Sequence, residues 1–293
     1  SFVDRTENEN GHRLSTNSYQ TFHEVIPLEK PVSTEAVSKL GEIYGLGNHR
    51  LMCGSSTDKE QVNQLMGREI SSMVFTDPPY NVDYGANKTH PNWKGVEERE
   101  VGKIKNDKLS DEEWDKFVRA YMENLLYNTT GAIYICMSNK EMYSNKHIFE
   151  ELEGHWASFI IWNKDRFVLS MQDYHRKYEP ILYGWKEGLA HYWCGDRDQS
   201  DVWDIPRPST SEEHPTMKPI NLCARAIKNS SKPGEIVLDL FGGSGSTLIA
   251  CEQLDRRCYM MELEPKYADV IRKRYWKQKT GDYVGWEDGT KVL

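Results

Sequence analysis

Short apolar runs alternate with amphipathic stretches along this 293-residue chain. Residues 42–53 read as two short strands around a Gly47-Asn48 turn. Asp58 is placed to cap a helix running to Met66, and 70–75 is an apolar run with the length of a buried strand. Ser110-Asp111-Glu112-Glu113 has the form of a capping box. Trp114, Phe117, Val118, Tyr121 and Leu125 follow at helical spacing, with Gly131 as the expected end of that element. A strand over 132–137, a helix over 140–153 and a strand over 158–162 complete the first half.

Between 163 and 213 the pattern changes. Short β-like pieces (178–185, 191–193, 202–205) alternate with polar turns, and the segment is expected to project from the main sheet. The last third then alternates regularly: helix 219–230, strand 236–240, a glycine turn, helix 245–254, strand 258–262, helix 266–279. Strands alternating with helices predict an α/β fold with a mostly parallel sheet flanked by helices. Residues 1–41 read as an N-terminal arm ahead of one domain over 42–293. The stretch 85–108 is a long aperiodic loop of the kind that serves as a mobile lid.

Composition narrows the class. The 33 aromatic residues argue for a folded chain with interaction surfaces, and no apolar run approaches membrane-spanning length. Six scattered cysteines without a CxxC pair read as free thiols in a reducing compartment, hence a cytoplasmic protein without a zinc site. A net charge of −8 counts against a protein that coats nucleic acid, but not against a local basic groove. Residues 85–108 hold six Lys/Arg, among them Lys88 and Lys94, against four acids, whereas the basic run at 266–279 reads as a solvated helix face.

Two stretches carry chemistry. In Thr76-Asp77-Pro78-Pro79-Tyr80, each residue before a proline is pushed out of the helical region, and neither proline has an N–H. The outcome is a stiff turn at a strand end, offering a carboxylate and carbonyls as acceptors with an aromatic ring behind. That suits a flat ring bearing an exocyclic amine, although a strand end with a packed tyrosine has the same residues. In the second stretch, Asp239, Phe241, Gly243, Ser244 and Gly245 lie between a strand and a helix, where glycines permit close backbone approach to a ligand. Glu262 ends the next strand, where α/β nucleotide folds place the carboxylate that holds ribose hydroxyls. Asp239 suits a cationic ligand better than a pyrophosphate.

Together with His214-Pro215-Thr216-Met217-Lys218-Pro219, these motifs resemble the S-adenosylmethionine-dependent DNA amino-methyltransferases, with the motif order of the β class. The resemblance spans about 42–280. It implies a Rossmann-like methyltransferase fold and S-adenosylmethionine as cofactor, double-stranded DNA as partner, no metal, and a homodimer as in many relatives. It further implies that Asp77, Pro78, Pro79 and Tyr80 are catalytic and that Asp239, Phe241, Gly243, Ser244 and Gly245 hold the methionine end of the cofactor. Glu262 would bind the ribose, and Thr216 and Lys218 the methionine carboxylate. Ser55 stands where relatives often carry an adenine-binding Asp, which puts that contact in doubt.

Asp at the head of the tetrapeptide favours adenine N6 over cytosine N4 by association within the family. The base must leave the duplex to be reached, with Tyr80 stacking on it and Trp162 either a second wall or a core residue. Residues 163–213 are the expected target-recognition segment, with Arg166, Gln172, Arg176, Arg197 and Arg207 as candidate base readers. A non-catalytic DNA-binding partner with the same fold is the rival from another class. The two intact motifs count against it.

Overall fold

Among the described residues a nine-stranded sheet runs through the molecule, and its C-terminal edge gathers both motifs. The computed structural model describes residues 35–83, 104–168, 173–208 and 217–293. Lys88, Lys94, Gln172 and Thr216 lie outside the described residues, as do most of the arm and of the 85–108 loop.

In chain order the elements are β1 (Ile43–Leu46), β2 (His49–Cys53), α1 (Lys59–Met66), β3 (Ser71–Thr76), α2 (Asp111–Tyr127), β4 (Thr129–Cys136), α3 (Met142–Glu151) and β5 (Gly154–Val168). There follow β6 (Arg176–Lys186), β7 (Val202–Asp204), α4 (Ile220–Ser230), β8 (Ile236–Asp239), α5 (Ser246–Gln253), β9 (Arg257–Glu262), α6 (Pro265–Thr280) and the single turn α7 (Trp286–Gly289). The strand order is β1-β2-β9-β8-β3-β4-β6-β5-β7. From β2 to β4 all neighbours are parallel, while β6 is antiparallel to both β4 and β5. The architecture is thus the expected α/β one, with a mostly parallel sheet flanked by helices.

The capping signals act as read. Asp58 accepts from the Gln61 backbone N–H at 3.1 Å. Ser110 and Glu113 form the reciprocal capping box, which satisfies N–H groups that the first turn of α2 would leave unpaired. The two faces of the sheet are covered by separate apolar clusters: Met73, Phe75, Ile227 and Leu248 belong to one, Val74, Phe117, Tyr121 and Leu238 to the other. Alternate residues of β3 therefore point to opposite cores, as a strand buried on both sides requires.

Four expectations need correction. Gly131 does not end α2, which stops at Asn128; it lies inside β4, where a Cβ would sit 1.8 Å from the Ser72 carbonyl of β3. Its role is close strand approach. The apolar residues 191–193 form no strand. Much of 163–213 enters the sheet instead of projecting, because β6 extends it beyond β4 and β7 closes its edge. The outer part of the β5–β6 hairpin carries exposed Phe167 and Tyr174, with Phe167 stacked on His175 at 5.0 Å. Finally, the basic run on α6 is not all solvated: Arg272 and Arg274 are buried.

Candidate active site

Parallel strands β3 and β8 lie side by side, so the residues that follow them meet. Thr76, the last residue of β3, donates its hydroxyl to Asp239 Oδ1 at 2.8 Å, and the Phe241 N–H donates to the same oxygen at 3.0 Å. Asp239 is buried, which pushes its carboxyl up to about 7 despite these donors. Gly243 and Gly245 both take positive φ (53° and 87°). Below the loop, the buried Arg274 donates to the Ser244 carbonyl at 2.6 Å and so props the turn from the α6 side.

Glu262 closes the far side. Its carboxylate accepts from the Gly243 and Glu264 backbone N–H groups, each at 2.8 Å, and burial pushes it up to about 7. One continuous pocket runs from Asp77 and Tyr80 past the glycine loop to Glu262 and Tyr267. Residues 104–107 also line it, and Lys105 forms an ion pair with Glu264.

At the acceptor end, Asp77 has both oxygens engaged. Tyr80 Oη lies 2.8 Å from Oδ1, and Lys218 Nζ lies 2.8 Å from Oδ2. Burial raises the Asp77 carboxyl, an effect that Lys218 opposes and the nearby Glu179 reinforces. The turn is held from behind by Asp107, whose Oδ1 accepts from the Tyr80 and Val82 N–H groups at 3.1 and 3.2 Å.

Several placements differ from the sequence reading. Lys218 Nζ contacts Asp77, Glu179 (3.1 Å) and Tyr80 Oη (3.0 Å). An ammonium has three N–H donors, so all are used within the acceptor site and none points to a methionine carboxylate. Ser55 turns its hydroxyl to Thr57 at 2.8 Å, and its neighbours Gly54 and Ser56, not Ser55, line the pocket. Trp162 is a core residue with its indole N–H donated to the Ile205 carbonyl at 2.7 Å, so it is no second wall for a base. Phe241 lines the pocket while packing edge-on against Tyr121 at 5.2 Å.

Of the candidate base readers, Arg166 and Arg176 stand on the outer β5–β6 hairpin beyond Glu179. The Arg207 backbone N–H is anchored by Asp165 at 2.9 Å on that same edge. Arg197 does not join them. It sits on a loop tied by Gln199 to Asn229, at the opposite end of α4 from Lys218. Glu179, Lys164, Asp107 and Arg274 were not singled out from sequence. A lone Glu in a strand whose neighbours are apolar was the available signal for Glu179.

The fold and this two-ended site define a nucleotide-cofactor methyltransferase class, and comparison with known proteins narrows it. A DNA methylase family model matches residues 71–273. The chain belongs to that family, and its methyl donor is S-adenosylmethionine. Among relatives, the type II methyltransferase M2.MboI of Moraxella bovis is 27% identical over 222 residues, 69% of this chain and 80% of that protein. M2.DpnII of Streptococcus pneumoniae is 29% identical over 226 residues, covering 71% and 84%. The crystal structure of an M1.HpyAVI–SAM complex superposes with a TM-score of 0.56 at 21% identity, over 76% of this chain and 98% of that one. The cytosine-N4-specific PvuII DNA methyltransferase gives 0.63 at 15%, over 86% and 97%. These structural likenesses speak to the fold alone.

The residues present suit this cofactor. Asp239 is a buried carboxylate and Glu262 a half-buried one; desolvation raises both, and no cation is bonded to either among the described contacts. That is the state of acceptors suited to an ammonium or sulfonium and to vicinal hydroxyls. Among the described residues no His, Cys, Asp or Glu cluster is arranged to hold a metal ion, and no helix is long and apolar enough to cross a membrane.

Proposed function

We propose that this protein is a sequence-specific DNA methyltransferase that modifies the exocyclic N6 amine of an adenine flipped out of the duplex. The observation that carries this reading is the single pocket joining the Asp77 turn to the glycine loop and Glu262. Bound there, the cofactor supplies an electrophilic methyl group.

The chain's own residues do the rest. Glu262 accepts from the ribose hydroxyls, and Asp239 with the Phe241–Gly245 backbone receives the methionine end. An adenine amine is a poor nucleophile, because its lone pair is delocalised into the ring. Asp77 Oδ1 and the Pro78 carbonyl accept its two protons, favour a pyramidal nitrogen and aim the lone pair down the pocket. Positioning and electrostatics therefore supply most of the rate. Asp77 need not remove a proton before attack, since it can take one once the nitrogen is cationic. Tyr80 and Pro79 offer a face on which the flipped base stacks.

Residues 163–213 serve as the target-recognition segment, with Arg166, Arg176 and Arg207 on the edge that carries Asp77. Arg176 lies three residues beyond Glu179, about 10 Å along the strand, which is the reach needed from a reacting base to its flanks. The segment has seven Lys/Arg and ten Asp/Glu, a balance that suits base reading better than phosphate coating. Lys88 and Lys94 are assigned to phosphates and Gln172 to a base edge on sequence grounds. Action on DNA in the cytoplasm of a prokaryotic cell, as a homodimer, is the accompanying reading, and sedimentation tests the dimer.

The test is digestion of treated DNA to nucleosides. N6-methyladenine is expected, and N4-methylcytosine without it overturns the choice of base.

A further inference from the structure

We propose that Glu179 is a positioning residue for methyl transfer: it offers the Tyr80 hydroxyl a second acceptor and anchors Lys218, so that Asp77 Oδ1 is freed for the incoming amine. The proposal deepens the reading above through Asp77.

Glu179 lies on β6 directly opposite Trp162 of β5, between apolar neighbours. Its Oε1 accepts from Lys164 Nζ at 2.5 Å, and its Oε2 from Lys218 Nζ at 3.1 Å and Tyr80 Oη at 3.0 Å. Two carboxylates, two ammoniums and one phenol thus form a closed, charge-balanced group. Holding four charges here, the two lysines buried and the two carboxylates half-buried, is costly, and an apolar group would serve the sheet as well. What the group does share is Asp77.

The phenol has one proton and two carboxylates within reach, Asp77 Oδ1 at 2.8 Å and Glu179 Oε2 at 3.0 Å. It can donate to one of them at a time. While it donates to Asp77, that oxygen is masked. Donating to Glu179 instead, it leaves Asp77 Oδ1 open, with Lys218 still fixing Oδ2. Lys218 donates to all three partners and keeps them in register, and Lys164 holds Glu179 from the other side.

The charges add a signature. Burial raises Asp77, Glu179 raises it further and Lys218 lowers it. Burial also disfavours the Glu179 charge, but Lys218 and Lys164 outweigh that and hold it at about 2, so it stays ionised throughout the working range. The other titratable groups facing Asp77 are Cys136 at the end of β4, Cys223 on α4 and Asp239 on β8. Burial pushes both thiols up and keeps them neutral. Replacing Glu179 by a neutral residue removes a negative neighbour, so Asp77 ionises more readily.

The experiment is steady-state methylation of duplex DNA by Glu179→Gln and Glu179→Asp between pH 5 and 9, with calorimetry of S-adenosylmethionine binding. Glu179→Gln is expected to bind cofactor as the parent does, to lose about 10²-fold in kcat with KM for DNA little changed, and to shift the acid limb of kcat to lower pH. Glu179→Asp restores most of the rate and the original limb. Unchanged kcat, or a loss with the limb unmoved or shifted upward, overturns the proposal. If the Gln variant does not fold, a Tyr80→Phe background decides. The small loss that remains in Glu179→Asp is expected when the phenol is present and not when it is absent; an equal loss in both overturns the role. N4-methylcytosine as product would sink the adenine reading and leave these outcomes untouched, since either amine approaches the same carboxylate.

Discussion

Asp77 is half-buried, with Lys218 Nζ 2.8 Å from its Oδ2. Replacing it removes the acceptor for the amine but no part of the pocket's far end. Asp77→Ala is expected to keep S-adenosylmethionine binding by calorimetry and to lose at least about 10²-fold in methyl transfer; retained turnover would refute its assignment. Burial pushes the Glu262 carboxyl up to about 7, and its ionised form is the stronger acceptor for two ribose hydroxyls. Its value is raised, so the charged form is gained as pH rises through 7. Affinity for S-adenosylhomocysteine should therefore strengthen from pH 6 to pH 8, and Glu262→Gln should flatten that slope, Asp239 accounting for what remains. A slope unchanged in the variant counts against the ribose role. Asp77 and Asp239 were legible because each belongs to a contiguous motif with a local chemical meaning, and Glu262 because it ends the strand after the glycine turn. Glu179 and Lys164 reach the site from β5 and β6, 99 positions from Tyr80 in the case of Glu179, and spacing along the chain carries no trace of such a contact.

The elements were legible where the signal is local. The Asp58 and Ser110 caps and the helical spacing of Trp114 to Leu125 describe contacts within one turn, and the structure repeats them. Gly131 failed for the opposite reason, because its cause is another strand. A methyl group there meets the Ser72 carbonyl 1.8 Å away, so Gly131→Ala should cost about 1–3 kcal/mol. The melting temperature is expected to fall by several degrees with cofactor affinity at 25 °C intact; an unchanged melting temperature would show that β3 and β4 can part cheaply. Strand β6, within 163–213, was expected to project because its segment reads as short aromatic-rich pieces, whereas pairing with β4 and β5 gives it a place in the sheet.

Across the molecule, the order of the sheet follows no local rule. The acceptor turn after β3 and the donor loop after β8 come from opposite halves of the chain and meet because β8 pairs with β3. Only the alternation of helices and strands, hence the fold class, could be read in advance. A fragment ending at residue 208 contains β3 and β4 but neither β8 nor β9, leaving β3 with an open edge and β2 without its parallel neighbour. Such a fragment is expected to self-associate in light scattering, and a monodisperse, folded monomer would contradict the dependence.

The bond from Thr76 to Asp239 spans 163 positions. At about 5–20 residues per second, a ribosome delivers its second partner about 8–30 s after its first. Through that interval the nascent chain carries a finished proline turn on an unfinished sheet. The Asp77 carboxylate is therefore synthesised well before its surroundings are complete. Activity then reports that both halves of one polypeptide have found each other, and a chain stalled between them is inert by construction.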